Sequence, residues 1–338
     1  MATLSDIARL AGVSVSAVSR VLSDAEGTRV SADTRARIHQ IADDLGYRPN
    51  FAARALKFQR TSVLACIVPD LTNAMFTELL RGIESAASAH GFTVLLSRAE
   101  AIPELDATLA TLLGEGRVDG VIVQTPDSVD PASLSALSDE KLPVVFVNTV
   151  HPQHVGSVIL EDAQASAAAT RHLIGLGHSR IGFIGGLPAA GSARRRLAGF
   201  KEEMVEAGLP TDASTITDLG YRYVDGARAL TEVMAVSEPP TGVVVANVNA
   251  AMGLLVEARR VGVRVPTQLS VACIHDSWTA ETTWPPLTTV RMPLFEMGTA
   301  AVASVLERIQ NGTSRDYVVD SPVPQLVARE SSAAPGPR

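Results

Sequence analysis

Beyond residue 60 the chain alternates short apolar runs with longer stretches in which apolar residues return every three or four positions. Val63–Val68, Phe92–Leu96, Val118–Val123, Val144–Val147, Val158–Leu160, Ile181–Ile184, Val243–Ala246 and Val271–Ile274 are of strand length and apolar throughout, apart from Thr93 and Asp119. Continuous runs, instead of an apolar–polar alternation, predict parallel strands covered on both faces. Between most of them lie helical periods, at Met75–His90, Ala163–Leu176, Arg195–Ala207, Asp225–Val236 and Ala250–Val261. So many strand–helix units overfill a single sheet, so the pattern predicts an α/β core of two doubly wound parallel-sheet lobes. Such sheets bind ligands in the crevice beyond the carboxyl ends of their strands.

The first 48 residues read differently, as short helices. Thr3-Leu-Ser-Asp6 resembles a capped helix start, and Leu4, Ile7, Ala8, Leu10 and Ala11 follow a helical period. Gly12 breaks that helix, Ser14 caps the next over Val15–Leu22, and Ser31 opens a third that stops at Gly46. Two short helices joined by a tight glycine-containing turn and braced by a third make the helix-turn-helix pattern.

Charge supports the division. The 338 residues carry a net charge of −7, yet residues 1–60 hold nine Lys/Arg against six Asp/Glu. The remainder holds 20 basic and 30 acidic residues. A small basic head on an acidic body points to a polyanion that only the head touches. No apolar run reaches the ~18 residues of a membrane span, and no secretory leader is visible, so a cytoplasmic protein without a membrane partner is expected. Cys66 and Cys273 lie inside strand-like runs and read as buried, reduced core residues.

Leu4-Ser-Asp-Ile-Ala-Arg-Leu-Ala-Gly-Val-Ser-Val-Ser-Ala-Val-Ser-Arg-Val-Leu22 resembles the opening signature of the LacI/GalR repressor family. The likeness continues, in order, through Leu45-Gly-Tyr-Arg-Pro-Asn50, Arg81-Gly-Ile-Glu84, Leu176-Gly-His-Ser-Arg-Ile181, Arg196-Leu-Ala-Gly-Phe200 and Pro286-Leu-Thr-Thr-Val290. It implies a helix-turn-helix head over 1–48, a hinge helix and linker over 49–60, and a periplasmic-binding-protein-like core over 61–330. Residues 331–338 are expected to form a disordered tail. The implied assembly is a homodimer or tetramer on a pseudo-palindromic double-stranded DNA operator, controlled by a small-molecule effector, and a homodimer is expected because no leucine heptads follow Glu330. No cofactor, metal or enzymatic activity is expected.

In the head, the resemblance puts Val15 and Ser16 at the two principal base-reading positions. Val15 can pack on a thymine methyl, Ser16 can donate or accept, and Arg20 can fork onto a guanine. Thr3, Ser14, Ser19, Ser23, Thr34 and Asn50 are candidates for phosphate contacts, with helix capping the alternative for Ser14. The segment around Ala53 is short for an isolated helix. The resemblance implies that it folds over the operator and that Leu56 wedges into the minor groove.

In the core, the family's ligand positions fall on Asn73, Phe76, Asp162, Arg196, Tyr221 and Asn247. A carboxylate, amides and an arginine around an aromatic suit a hydroxyl-rich ligand, by default a sugar. Two departures weaken that default. Val248 stands where the family usually has Asp, and His275 precedes Asp276 where an acidic ligand residue is usual. Either Asp276 takes over, or His275 meets an acidic or phosphorylated ligand or a heterocycle such as a nucleobase. Gly182-Phe-Ile-Gly185-Gly186 lacks the Gly-Lys-Ser/Thr ending of a phosphate loop and reads as a strand-end turn. His151 and His154 lack nearby metal-ligating partners and read as surface loop.

Overall fold

Side-chain caps set the head helices of the computed structural model, which describes residues 2–23, 29–48, 60–98, 107–126, 143–151 and 156–336. Thr3 and Asp6 form a capping box at the start of α1 (Leu4–Ala11). Gly12 ends that helix at φ 67°, a left-handed conformation that costs glycine nothing. Ser14 accepts from the Ala17 amide at 3.2 Å and opens α2 (Val15–Leu22). Ser31 accepts from Thr34 at 3.3 Å and opens α3 (Ala32–Asp44). Ile7, Ala8, Ala11, Val18, Val21, Ile38 and Ala42 form a core of their own. The chain accordingly divides into two units, Met1–Thr61 and Ser62–Arg338. The implied hinge helix, with Asn50, Ala53 and Leu56, lies outside the described residues.

The second unit is built from β1 (Val63–Val68), α4 (Phe76–Ala89), β2 (Thr93–Arg98), β3 (Gly120–Val123), β4 (Val144–Val147) and β5 (Ser157–Leu160). There follow α5 (Asp162–Gly175), β6 (Ile181–Ile184), α6 (Gly191–Glu206), β7 (Ile216–Thr217), α7 (Tyr223–Met234), β8 (Gly242–Val245) and α8 (Val248–Val261). The chain closes with β9 (Ser270–Ile274), α9 (Trp278–Thr282), β10 (Thr288–Arg291), α10 (Leu294–Asn311), β11 (Tyr317–Val319) and β12 (Gln325–Val327).

Two six-stranded sheets result, ordered β11-β5-β4-β3-β1-β2 and β12-β10-β9-β8-β6-β7. Every pairing is parallel except β10 with β12. The chain passes to the second lobe after β5, and α10 returns to pack on α4 and on β3–β5 of the first. It crosses again between β11 and β12. The continuously apolar runs are the inner strands: β3, β4, β6, β8 and β9 are buried throughout, as two-sided coverage requires. Burial raises the Cys66 thiol to about 12 and pushes that of Cys273 up as well, so both stay protonated core residues.

The disordered tail expected after Glu330 is a correction: residues 331–336 are built into the second lobe. The Val271 amide donates to the Ser331 carbonyl at 2.7 Å, and the buried Ser331 hydroxyl accepts from the Thr288 amide at 2.8 Å. That hydroxyl also donates to the Val271 carbonyl at 2.6 Å. His172 Nε2 meets the Ser332 hydroxyl at 2.8 Å, and His178 Nε2 donates to the Ala333 carbonyl at 2.9 Å. A tail of small residues carries no periodicity, so nothing in its pattern announced that its polar groups complete an open sheet position.

Ser331→Ala should therefore lower the unfolding free energy by about 1–3 kcal/mol, because it leaves the Thr288 amide buried without an acceptor; urea unfolding reads this directly. Desolvation lowers both His172 and His178 below 6.5, helped for His172 by its neighbour His178. The unfolded chain then binds protons more readily, so the stability held above pH 6.5 should fall as pH drops below it. Melting temperatures between pH 7.5 and 5.5 test the sign, and His178→Gln should flatten the slope.

Candidate functional site

In the head, the start of α2 is open to solvent. Val15 is 44% exposed and Ser16 and Arg20 are also exposed, whereas Val18 and Val21 take the core positions of the same helix. Val15 therefore takes no part in the core of the head. Thr3, Ser14 and Ser23 are exposed, and Ser19 and Thr34 are half-buried. Ser14 caps α2, and Ser23 donates to the Ser19 carbonyl at 2.7 Å. Capping uses only the acceptor side of the Ser14 hydroxyl, which leaves its proton for another acceptor.

In the core, the carboxyl ends of the strands surround a cavity of about 500 Å³. The first lobe supplies Asp70, Asn73, Phe76, Gln124 and Asn148, and the second Ser192, Arg196, Leu219, Tyr221 and Asn247. Gln124 and Asn148 directly follow β3 and β4, and Asn247 follows β8 and caps α8. The Asn247 Oδ1 accepts from the Ala250 amide at 2.8 Å, which turns Nδ2 away from the helix. Tyr221 lies over Gly186, where a Cβ would enter its ring, and its hydroxyl is 3.4 Å from that of Ser192.

One ion network backs this cavity. Asp162, the first residue of α5, is fully buried. Arg196 donates to its Oδ1 through Nε at 2.8 Å, and Arg195 to its Oδ2 through a terminal nitrogen at 2.6 Å. Arg196 also donates to the Ala246 carbonyl at 2.5 Å and stacks 5.5 Å from the Tyr221 ring centroid. A terminal nitrogen of Arg196 also meets His275 Nε2, at 3.1 Å. Arginine has no acceptor, so that nitrogen accepts and the imidazole proton sits on Nδ1. Burial, and then the Arg196 charge, hold His275 well below its ordinary value, so the ring is neutral. Three residues of the Arg196–Phe200 motif have distinct tasks. Gly199 lets α6 touch the Ala163 backbone, Phe200 fills the core, and Arg196 reaches the cavity.

Asn73, Phe76, Arg196, Tyr221 and Asn247 thus share one cavity, and three expected ligand residues do not line it. Asp162 and His275 stand behind Arg196. Asp276 faces elsewhere, accepting from Thr289 at 2.8 Å, Arg291 at 2.7 Å and Arg329 at 2.8 Å. Burial alone would raise its carboxyl, but the hydrogen bonds from Arg291, Thr289 and Arg329 outweigh it and lower it. The expectation that Asp276 takes over from His275 is therefore corrected. The backbone turns at His275, where φ is 71°, and sends the next side chain away from the cavity. Val248 is buried in the apolar core of the second lobe, so that departure removes nothing from this cavity. Gln124, Asn148 and Ser192 were missed, although the strand-end rule marks the first two. Gly185 and Gly186 make the turn under Tyr221, and His151 stacks on Phe146 at 5.3 Å.

The head matches the family model "Bacterial regulatory proteins, lacI family" over residues 3–50. Residues 170–332 match the model "Periplasmic binding protein-like domain". The transcriptional repressor PurR of Photobacterium profundum is 32% identical over 334 residues, which cover 98% of each chain. The chain belongs to the LacI family. Its members are DNA-binding transcriptional regulators with an effector-binding core. A LacI-family regulator from Mycobacterium smegmatis superposes with a TM-score of 0.77 at 41% identity, over 80% of this chain and 99% of that one. The Lac repressor dimer, bound to operator and the anti-inducer ONPF, gives a TM-score of 0.82 at 26% identity, over 98% and 99%.

In this LacI-family core, Asp162→Asn should cost about 3–5 kcal/mol of stability, because it leaves the buried Arg196 charge uncompensated. Urea unfolding of the full chain measures it. A midpoint within error of the parent would contradict the role assigned to the ion network.

Proposed function

We propose that this regulator is a homodimeric repressor whose hold on operator DNA is set by a small molecule in the core cavity. The observation that carries the reading is that one chain holds both parts. The head presents the solvent-facing start of α2, and the core holds a polar cavity at its strand ends. Val15 and Ser16 read base edges, with Arg20 reaching a guanine one turn later. Thr3, Ser14, Ser19, Ser23, Thr34 and Asn50 hold phosphates and set the register of the head. Ala53 and Leu56 act in the hinge, with Leu56 the minor-groove wedge. Acting on chromosomal DNA, the protein works in the cytoplasm.

Homodimerisation is supported by apolar surface on the core. Leu95 and Leu96 on the edge strand β2 are 47% and 45% exposed, and Trp278 at the start of α9 and Trp284 just after it are 66% and 81% exposed. Large exposed apolar side chains mark partner surfaces, and a two-fold dimer matches a pseudo-palindromic operator. The effector class defaults to a sugar or sugar derivative, with Asn73, Phe76, Arg196, Tyr221 and Asn247 as its contacts.

An operator selected from random DNA by the full chain should be a pseudo-palindrome. Removal of residues 1–61 should abolish binding to it and leave the core folded. Arg20→Ala should weaken binding by about 1–3 kcal/mol and relax the preference at one base pair in each half-site. Fluorescence anisotropy on the selected site and its single-base variants reads both. A uniform loss over all sequences would assign Arg20 to the phosphates instead.

A further inference from the structure

We infer that Arg195 is a latch between the two lobes, and that its contact with Asn148 of the first lobe sets the lobe arrangement on which operator affinity depends. The inference rests on the reading of this chain as a regulator whose core controls its hold on an operator.

Three arginines stand in succession on α6, and each has a different task. Arg194 donates to the Pro188 and Ala189 carbonyls at 2.7 and 2.8 Å, which fastens the loop before its own helix. Arg196 has a side chain only 1% exposed and donates to Asp162, Ala246 and His275, all on the second lobe. Arg195 differs from both. Its side chain is 27% exposed, and it grips Asp162 Oδ2 through Nε at 3.0 Å and through a terminal nitrogen at 2.6 Å. The same terminal nitrogen reaches across to Asn148 Oδ1 at 3.4 Å. Arginine offers only donors, so the carboxamide oxygen is the atom that faces it.

Both ends of this contact are fixed. On the second lobe, Asp162 is fully buried and held by two guanidiniums. On the first lobe, Asn148 directly follows β4 at φ 57°, a left-handed conformation that asparagine adopts more readily than most side chains. Its amide donates to the Val158 carbonyl of β5 at 2.8 Å. The hydroxyl of the next residue, Thr149, lies 3.1 Å from that of Thr125, just after β3. The bridge is the weak member between these two rigid ends. Breaking it leaves Asp162 paired with both arginines, so no buried charge loses its partner when the lobes part. A contact made in one lobe arrangement and lost in another, at a modest difference in free energy, is what a two-state element requires. A well-made hydrogen bond from a charged donor shifts an equilibrium by about tenfold or more. This one is long and partly open to water, so it should be worth about three- to tenfold.

The test is a double-mutant cycle read in operator affinity, by fluorescence anisotropy of the full chain on its selected operator with no small molecule added. Arg195→Ala removes the latch and leaves Asp162 to Arg196. Asn148→Gly removes the carboxamide and keeps the left-handed turn. Each should change operator affinity by about three- to tenfold in the same direction, and the double variant should change it no further than either single one. Asn148→Asp sets a carboxylate of the same shape against the guanidinium, tightens the latch and should move the affinity the opposite way. Should Arg195→Ala not fold, the opposite shifts of Asn148→Gly and Asn148→Asp still decide. Urea unfolding of the same variants separates the latch from a merely structural role, which would lower the unfolding midpoint and leave the operator affinity of the folded protein unchanged. Additive effects of the two single variants, or folded variants that bind as the parent does, overturn the inference alone. A parent chain that selects no operator overturns the inference together with the reading on which it rests.

Discussion

The core turns on one buried carboxylate. A charge taken out of water costs several kcal/mol unless opposite charges and hydrogen bonds meet it, so whatever surrounds Asp162 has to converge on it. Arg195 and Arg196 do so from successive positions of α6, each taking one oxygen. Through Arg196 the network reaches Ala246 after β8 and His275 after β9, and through Arg195 it reaches Asn148 after β4. Asp162 itself opens the helix by which the chain first leaves one lobe for the other. Three strand ends and a lobe crossing are thus tied to a single carboxylate and its two arginines, immediately behind the ligand cavity.

That placement gives a ligand something to act on. A small molecule shifts a conformational equilibrium only by its difference in affinity between two arrangements. Here the cavity takes Gln124 and Asn148 from one lobe and Asn247, Arg196 and Tyr221 from the other, so occupancy depends on how the lobes stand relative to each other. Arg195 spans that gap, with Asn148 as its first-lobe partner. A ligand that takes the Asn148 carboxamide competes with this bridge, while one that leaves it alone adds to it. Inducer and corepressor are, in these terms, two outcomes at the same residue.

Much of this was written in the pattern of the chain. The inner strands are legible because two-sided burial demands continuous apolar runs, and Val63–Val68, Val144–Val147 and Ile181–Ile184 are met to the residue. The head helices are legible because Thr3, Ser14 and Ser31 cap them and Gly12 stops one. The shortest strands and a polar one carry no such signal: the edge strands β11 and β12 are three residues long, and the inner strand β10 opens on two threonines. The tail after Glu330 fails for a related reason, since Ser331 earns its place by hydrogen bonds across 43 and 60 residues, which no local period records. In the site, Arg196 and Asn247 could be placed by motif and strand end. The turn at His275 that sends Asp276 away from the cavity depends on a backbone angle and not on residue type.

The central claim is a coupling between the core cavity and the DNA-binding head, and operator affinity with the cavity filled and empty measures it. Fluorescence anisotropy on an operator selected by the full chain, titrated with and without a saturating compound that raises the melting temperature, gives both constants. The account predicts a change of about 5- to 150-fold, with the compound's own affinity altered by the same factor when operator is present. Identical operator affinities in the two states would contradict it.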